Sequence, residues 1–309
     1  MPDRSRLARL IWLSIAAAVA TIALKTGAWA VTGSVSLLSD AAESVVNLVA
    51  AVFALVIVHW AARPPDEEHA YGHEKADYLS AGVEGGLILI AAVTIGVSAV
   101  DRLMNPAPVT DAAVGIAIAV VASLINLSVA RVLIRAGREH RSLTLEADGR
   151  HLMTDVWTSA GVVLGVGTVA LTGWDTLDPI IALVVAANIL RTGVSLVRRS
   201  TGGLMDRALE PGELALVEQV LARHAGRDVQ FHALRTRRAG PRAFVSVHVL
   251  VPGSWSVHEG HDLAEQVEAD LREALGHSTV FTHLEPREDP VSFADVKLDR
   301  GDSNPPAVP

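Results

Sequence analysis

Two pairs of polar residues recur at i, i+4 inside apolar stretches. Glu43 and Asn47 form one pair, and His151 and Asp155 form the other. Residues four apart share one helical face. If the two faces meet, two oxygens from one helix join a nitrogen and an oxygen from the other. Four such ligands suffice for a tetrahedral divalent cation. Taken singly, each residue has a plainer reading: His151 at the end of its span can be interfacial, and Asn47 can bridge two helices by a hydrogen bond. Asp40 and Asp148 add ionisable groups to the same two stretches, where charge is costly in lipid.

A second cluster reads Asp66-Glu67-Glu68-His69-Ala70-Tyr71-Gly72-His73-Glu74-Lys75. Its two histidines, four apart among carboxylates, suit a cation, although a solvated acidic loop has the same composition. The last third holds His224, His232, His248, His258, His261, His277 and His283, with Glu285. His232 and His248 fall on two strand-like runs. His283 and Glu285, two apart, face one side of a third. Histidines on neighbouring strands favour metal binding. The run His258-Glu259-Gly260-His261 is one residue short of the helical zinc-protease spacing, which excludes that chemistry. There is no cysteine, so disulfides and thiolate ligands are excluded and any metal must take nitrogen and oxygen. No nucleophile constellation and no Gly-rich phosphate loop supports an enzyme.

These residues need a scaffold, and the composition describes one. Of 309 residues, 50% are apolar and 19% charged, which excludes a disordered chain. The net charge of −8 argues against a nucleic-acid partner. Apolar runs concentrate before residue 200. A helix crossing a bilayer needs roughly 20 mainly apolar residues. Six segments qualify: about 8–31, 35–61, 78–100, 112–134, 151–171 and 179–197. Arginines and lysines mark one set of loops: Arg4, Arg6 and Arg9; Arg63 and Lys75; Arg131, Arg135, Arg138, Arg141 and Arg150; Arg198 and Arg199. With six spans all of these lie on one side, which places both termini in the cytoplasm. The third loop, with Arg102, lies opposite.

After residue 206 the pattern is that of a soluble domain. Apolar residues Leu214, Val217, Val220 and Leu221 predict a helix over 213–225. Strands are predicted over 229–237 and 243–251, separated by the turn signal Gly240-Pro241. A helix over 257–275 and a strand over 279–284 complete an α-β-β-α-β order. That order suits a two-layer α+β sandwich with an antiparallel-rich sheet. The resulting boundaries are a membrane domain over 1–205, a soluble domain over 206–290 and a loose tail over 291–309.

The stretch Ser36-Leu37-Leu38-Ser39-Asp40-Ala41-Ala42-Glu43, the loop Tyr71-Gly72-His73-Glu74-Lys75-Ala76-Asp77 and the pair His151/Asp155 resemble the cation diffusion facilitator family. The resemblance is to the bacterial ferrous-iron and zinc efflux subgroup, and it covers about residues 8–290. It implies an all-α six-helix transmembrane domain in the plasma or inner membrane. It also implies a cytoplasmic metallochaperone-like α+β domain that forms a homodimer. The implied activity is export of a divalent cation, with Zn(II) first, against protons, and no catalytic cofactor. The transport site is implied to be Glu43, Asn47, His151 and Asp155, and the loop site Asp66, His69 and His73. His232, His248, His261, His283 and Glu285 match the cytoplasmic metal ligands, with Glu285 where Asp is familiar. Lys75 and Asp206 match a salt bridge that ties the dimer together.

One departure concerns the metal. The subgroup carries two aspartates where this chain has Glu43 and Asn47, so one negative charge is lost. His151 retains the nitrogen that suits Zn(II), Fe(II) or Co(II) over Mg(II) or Ca(II). Fe(II) or Mn(II), and also Co(II) or Cd(II), is the alternative main substrate. A membrane sensor or scaffold that binds metal without moving it is the alternative of another class. Polar pairs in two spans speak against it, since a sensor needs only the soluble domain.

Overall fold

A computed structural model of the chain describes residues 4–32, 35–105, 112–174 and 176–293. The chain divides into two compact units, Met1–Leu204 and Met205–Pro309.

Unit 1 is helical: α1 (Arg4–Thr32), α2 (Val35–Ala61), α3 (Ala76–Met104), α4 (Ala112–Glu139), α5 (Leu143–Thr172) and α6 (Leu177–Leu204). Among the described residues, four stretches are long and apolar enough to cross a membrane: Leu7–Gly27, Ala76–Met104, Ala117–Glu139 and Pro179–Leu204. On α2 the described apolar run is shorter, Asn47–Ala61. Outward faces carry large apolar side chains such as Val56, Ile90, Val97 and Val184, each more than half exposed. Such a surface is unfavourable in water and is satisfied by lipid.

Two apolar clusters organise the unit. One joins Ile11, Ala54, Val58, Leu133, Leu145 and Leu152, from α1, α2, α4 and α5. The other joins Tyr78, Ala81, Ile88, Leu143, Ala147, Ile189 and Leu196, from α3, α5 and α6. Helix α5 contributes to both, and its residues 143–149 are buried on every face. Small residues permit the close approach of backbones. A Cβ at Gly149 would lie 2.9 Å from the backbone nitrogen of Ile134 on α4.

Two of the helices that extend beyond their predicted ends do so for one reason. Helix α5 starts at Leu143 rather than His151, and α6 runs to Leu204 rather than Val197. Glu146 is buried, yet it accepts bonds from Arg150 at 2.7 Å and Arg199 at 2.8 Å. The charges that marked helix ends in the sequence neutralise one another, so the helices continue through them. Arg102, read as a loop residue, lies in the last turn of α3.

Unit 2 follows the order α7 (Pro211–His224), β1 (Gln230–Ala239), β2 (Arg242–Val251), α8 (Val257–Leu275) and β3 (Ser278–Pro286). Gly240, at φ 53°, turns the chain between β1 and β2. Helix α8 starts with a capping box in which Ser256 and Glu259 satisfy each other's backbone N–H groups. The sheet order is β1-β2-β3, with β1 antiparallel and β3 parallel to β2. The sheet is therefore mixed rather than antiparallel-rich, because α8 carries the chain back as a crossover. Val217, Val220, Val245, Val247, Val267 and Leu271 form the core between sheet and helices. Of the predicted tail, 291–309, residues 291–293 are described and the rest lies outside the described residues. Pro290–Phe293 form a 3-10 turn, and Ser292 Oγ donates to the Pro286 carbonyl at 2.8 Å.

Candidate metal sites

Helices α2 and α5 bring three of the four predicted transport residues together. Asn47 Nδ2 donates to Asp155 Oδ2 at 2.6 Å, and Asn47 Oδ1 lies 2.7 Å from His151 Nε2. Asn47 and His151 are buried, and Asp155 is half-buried. The carboxylate can only accept, which orients the amide: nitrogen toward Asp155, oxygen toward His151. His151 and Asp155, four apart on α5, thus both face Asn47 of α2. Glu43 and Asp40 lie on α2, and their side chains fall outside the described residues.

Three further buried polar groups are described in this unit. Asn126, on α4, donates to the same Asp155 oxygen at 3.3 Å. Asp148 accepts from Ser14 of α1 at 3.0 Å. Glu84, on α3, places Oε2 at 3.4 Å from His151 Nδ1. Sequence reading singled out Asp148 but missed Glu84 and Asn126. The signal was available, since both are polar residues inside apolar stretches.

The loop before α3 gathers Asp66, His69 and His73, whose ligand atoms lie within 4.8 Å of one another. The His69 backbone N–H donates to Asp66 Oδ1 at 2.7 Å and so holds the Asp66 carboxyl below its ordinary range. His73 Nε2 lies 3.3 Å from Asp66 Oδ2, and the two imidazole rings are 4.6 Å apart. Gly72, at φ 91°, gives the turn a conformation that L side chains rarely adopt.

In unit 2, strand register assembles the third group. His232 pairs with His248 across β1 and β2, and His248 pairs with His283 across β2 and β3. Glu285 Oε2 lies 2.8 Å from His232 Nε2 and 3.1 Å from His248 Nδ1. A bulge follows His232, with Ala233 at φ 49°. Bulges re-aim side chains next to sites. The compact group is His232, His248 and Glu285. His283 stands at its rim, 3.6 Å from Glu285 Oε1 and largely exposed. His261 is exposed on α8 and is not within that group.

Lys75 and Asp206 belong to different units. Lys75 Nζ donates to the Leu204 carbonyl at 3.4 Å, and Asp206 Oδ1 accepts from Arg237 at 3.3 Å.

Two family models divide the chain in the same way. The family model described as the cation efflux transmembrane domain matches residues 11–205, and that of the cation efflux protein cytoplasmic domain matches residues 209–287. An uncharacterized transporter of Synechocystis sp. is 49% identical over 99% of this chain and 97% of its own. The cation-efflux pump FieF of Shewanella oneidensis is 30% identical over 88% of this chain and 92% of its own. Among solved structures, the metal-bound C-terminal domain of the CzcD transporter from Thermotoga maritima is 26% identical. It covers 26% of this chain and 98% of its own, with a TM-score of 0.24. The chain is a multi-pass membrane protein and belongs to the cation diffusion facilitator family of cation efflux transporters.

Proposed function

We propose that the chain exports a divalent transition-metal cation, Zn(II) first, in exchange for protons, by alternating access in a homodimer. The observation that carries this reading is the buried chain Asp155–Asn47–His151 between α2 and α5. A carbonyl oxygen only accepts, so His151 Nε2 facing Asn47 Oδ1 holds a proton in this state. A cation that takes Nε2 must displace that proton, because ligands bind deprotonated. Asp155 and the Asn47 oxygen then turn to the cation, and Glu43 completes the set from the same face of α2. Imidazole changes charge near neutral pH, which suits proton exchange. Protons from the far side displace the metal, and the helices rock around the fixed site.

In this reading α1–α6 all cross the membrane, residues 1–205 form the transport domain and both termini are cytoplasmic. Residues 206–290 form the cytoplasmic domain through which two protomers pair, with Lys75 and Asp206 as a salt bridge of the dimer. Metal on Asp66, His69 and His73, or on His232, His248, His261, His283 and Glu285, acts as regulator by tightening the dimer. The mostly oxygen donor set keeps Fe(II) and Mn(II) in the same class of substrate.

The test is flux of Zn(II), Fe(II), Mn(II), Co(II) and Cd(II) into proteoliposomes under an imposed pH gradient. Wild-type protein is expected to move Zn(II) fastest, and Asp155→Ala to abolish flux. Wild-type rates in Asp155→Ala would overturn the site, and flux indifferent to the gradient would overturn the proton coupling.

A further inference from the structure

Glu84 is the most deeply buried carboxylate described in unit 1, at 1% exposure, and it lies in the first third of an apolar helix. Neither of its oxygens accepts a hydrogen bond from a described residue. A buried carboxylate without hydrogen bonds is costly and calls for a functional reason. Its near neighbour supplies one. Glu84 Oε2 lies 3.4 Å from His151 Nδ1, while the opposite ring nitrogen, Nε2, faces Asn47 at 2.7 Å. The two sides of one imidazole therefore meet two different groups, from α3 and α2.

A histidine that binds metal through one nitrogen keeps its remaining proton on the other. A carboxylate at that second nitrogen fixes the tautomer, orients the ring and raises its basicity. We propose that Glu84 is a positioning residue of the transport site: it takes the Nδ1–H of His151 and presents Nε2 to the cation. This rests on the reading of His151 as a transport ligand. The arrangement also returns to the site a carboxylate that Asn47 does not supply, from a third helix.

The experiment measures Zn(II) flux against Zn(II) concentration in proteoliposomes for full-length wild type, Glu84→Leu, Glu84→Gln, His151→Ala and Glu84→Leu/His151→Ala. Flux is normalised to folded protein recovered by size exclusion. Glu84→Leu removes the acceptor while keeping an apolar side chain that a membrane helix tolerates. Its KM is expected to rise about 10–100-fold, with kcat changed little. Glu84→Gln keeps an acceptor oxygen and is expected to fall between Leu and wild type; it carries the test alone if the Leu protein does not fold, again with a raised KM. In the His151→Ala background, Glu84→Leu is expected to add nothing.

A wild-type KM in both Glu84 variants, with His151→Ala inactive, overturns this proposal and leaves the transport site standing. A Glu84→Leu effect that persists at full size without His151 also overturns it, by making Glu84 a ligand in its own right. Wild-type flux in His151→Ala overturns the transport site itself.

Discussion

Asn47 donates its side-chain amide to Asp155 at 2.6 Å, bridging α2 and α5. The amide thereby keeps the cation-free state satisfied: one face serves Asp155, the other His151. Asn47→Asp sets carboxylate against carboxylate. Without metal the protein is expected to lose about 1–3 kcal/mol, read as a lower melting temperature in chelator, because Asp155 exchanges its shorter bond for a facing carboxylate and keeps only the longer one from Asn126. Zinc is expected to restore more stability in this variant than in wild type, since the added charge favours the cation. Equal melting temperatures in chelator would contradict the bridge.

Glu285 holds His232 and His248 through one oxygen, at 2.8 and 3.1 Å. A cation that displaces those contacts binds only the folded sheet, so it stabilises the fold by mass action, about 2.7 kcal/mol at a hundred times Kd. In the full-length protein, zinc is expected to raise the unfolding temperature. The rise is expected to shrink in His232→Ala/Glu285→Ala, where calorimetry gives the comparison. An undiminished rise would place the stabilising metal elsewhere.

Acid sensitivity of unit 2 should include a contribution from the α8 cap. The Ser256 backbone amide, and then its hydroxyl, hold the Glu259 carboxyl below its ordinary range. A depressed folded pKa means that the contribution is complete above the unfolded value of about 4.3 and is lost as pH falls through the lower folded value. Glu259→Gln is expected to melt below wild type at neutral pH, with the gap closing as pH falls through the lowered folded value. A gap independent of pH would show that the carboxylate charge does nothing for the cap.

Local pattern was a good guide wherever neighbours in sequence decide the outcome. Helix α8 spans Val257–Leu275, the range that its periodicity predicts. The Gly240-Pro241 turn joins β1 to β2 as expected. The reading failed where distant residues decide. Helix α5 continues through Glu146 because Arg199, on α6, meets it. Strand β3 runs parallel to β2 because α8 spans the sheet, which no strand pattern encodes. Glu84 was legible as a carboxylate in an apolar run, but its relation to His151 depends on how α3 packs against α5.

The sequence alone determined the kind of chemistry. A cysteine-free chain restricts ligands to nitrogen and oxygen, and i, i+4 spacing sets each pair on one helical face. Periodicity says which residues share a face, but not which way that face turns. Only the packing of α2, α3 and α4 around α5 decides that Asn47 meets Asp155, that Asn126 joins the same oxygen and that Glu84 stands behind His151. Those distances depend on helix rotation and crossing, which the apolar clusters set jointly and no single segment encodes.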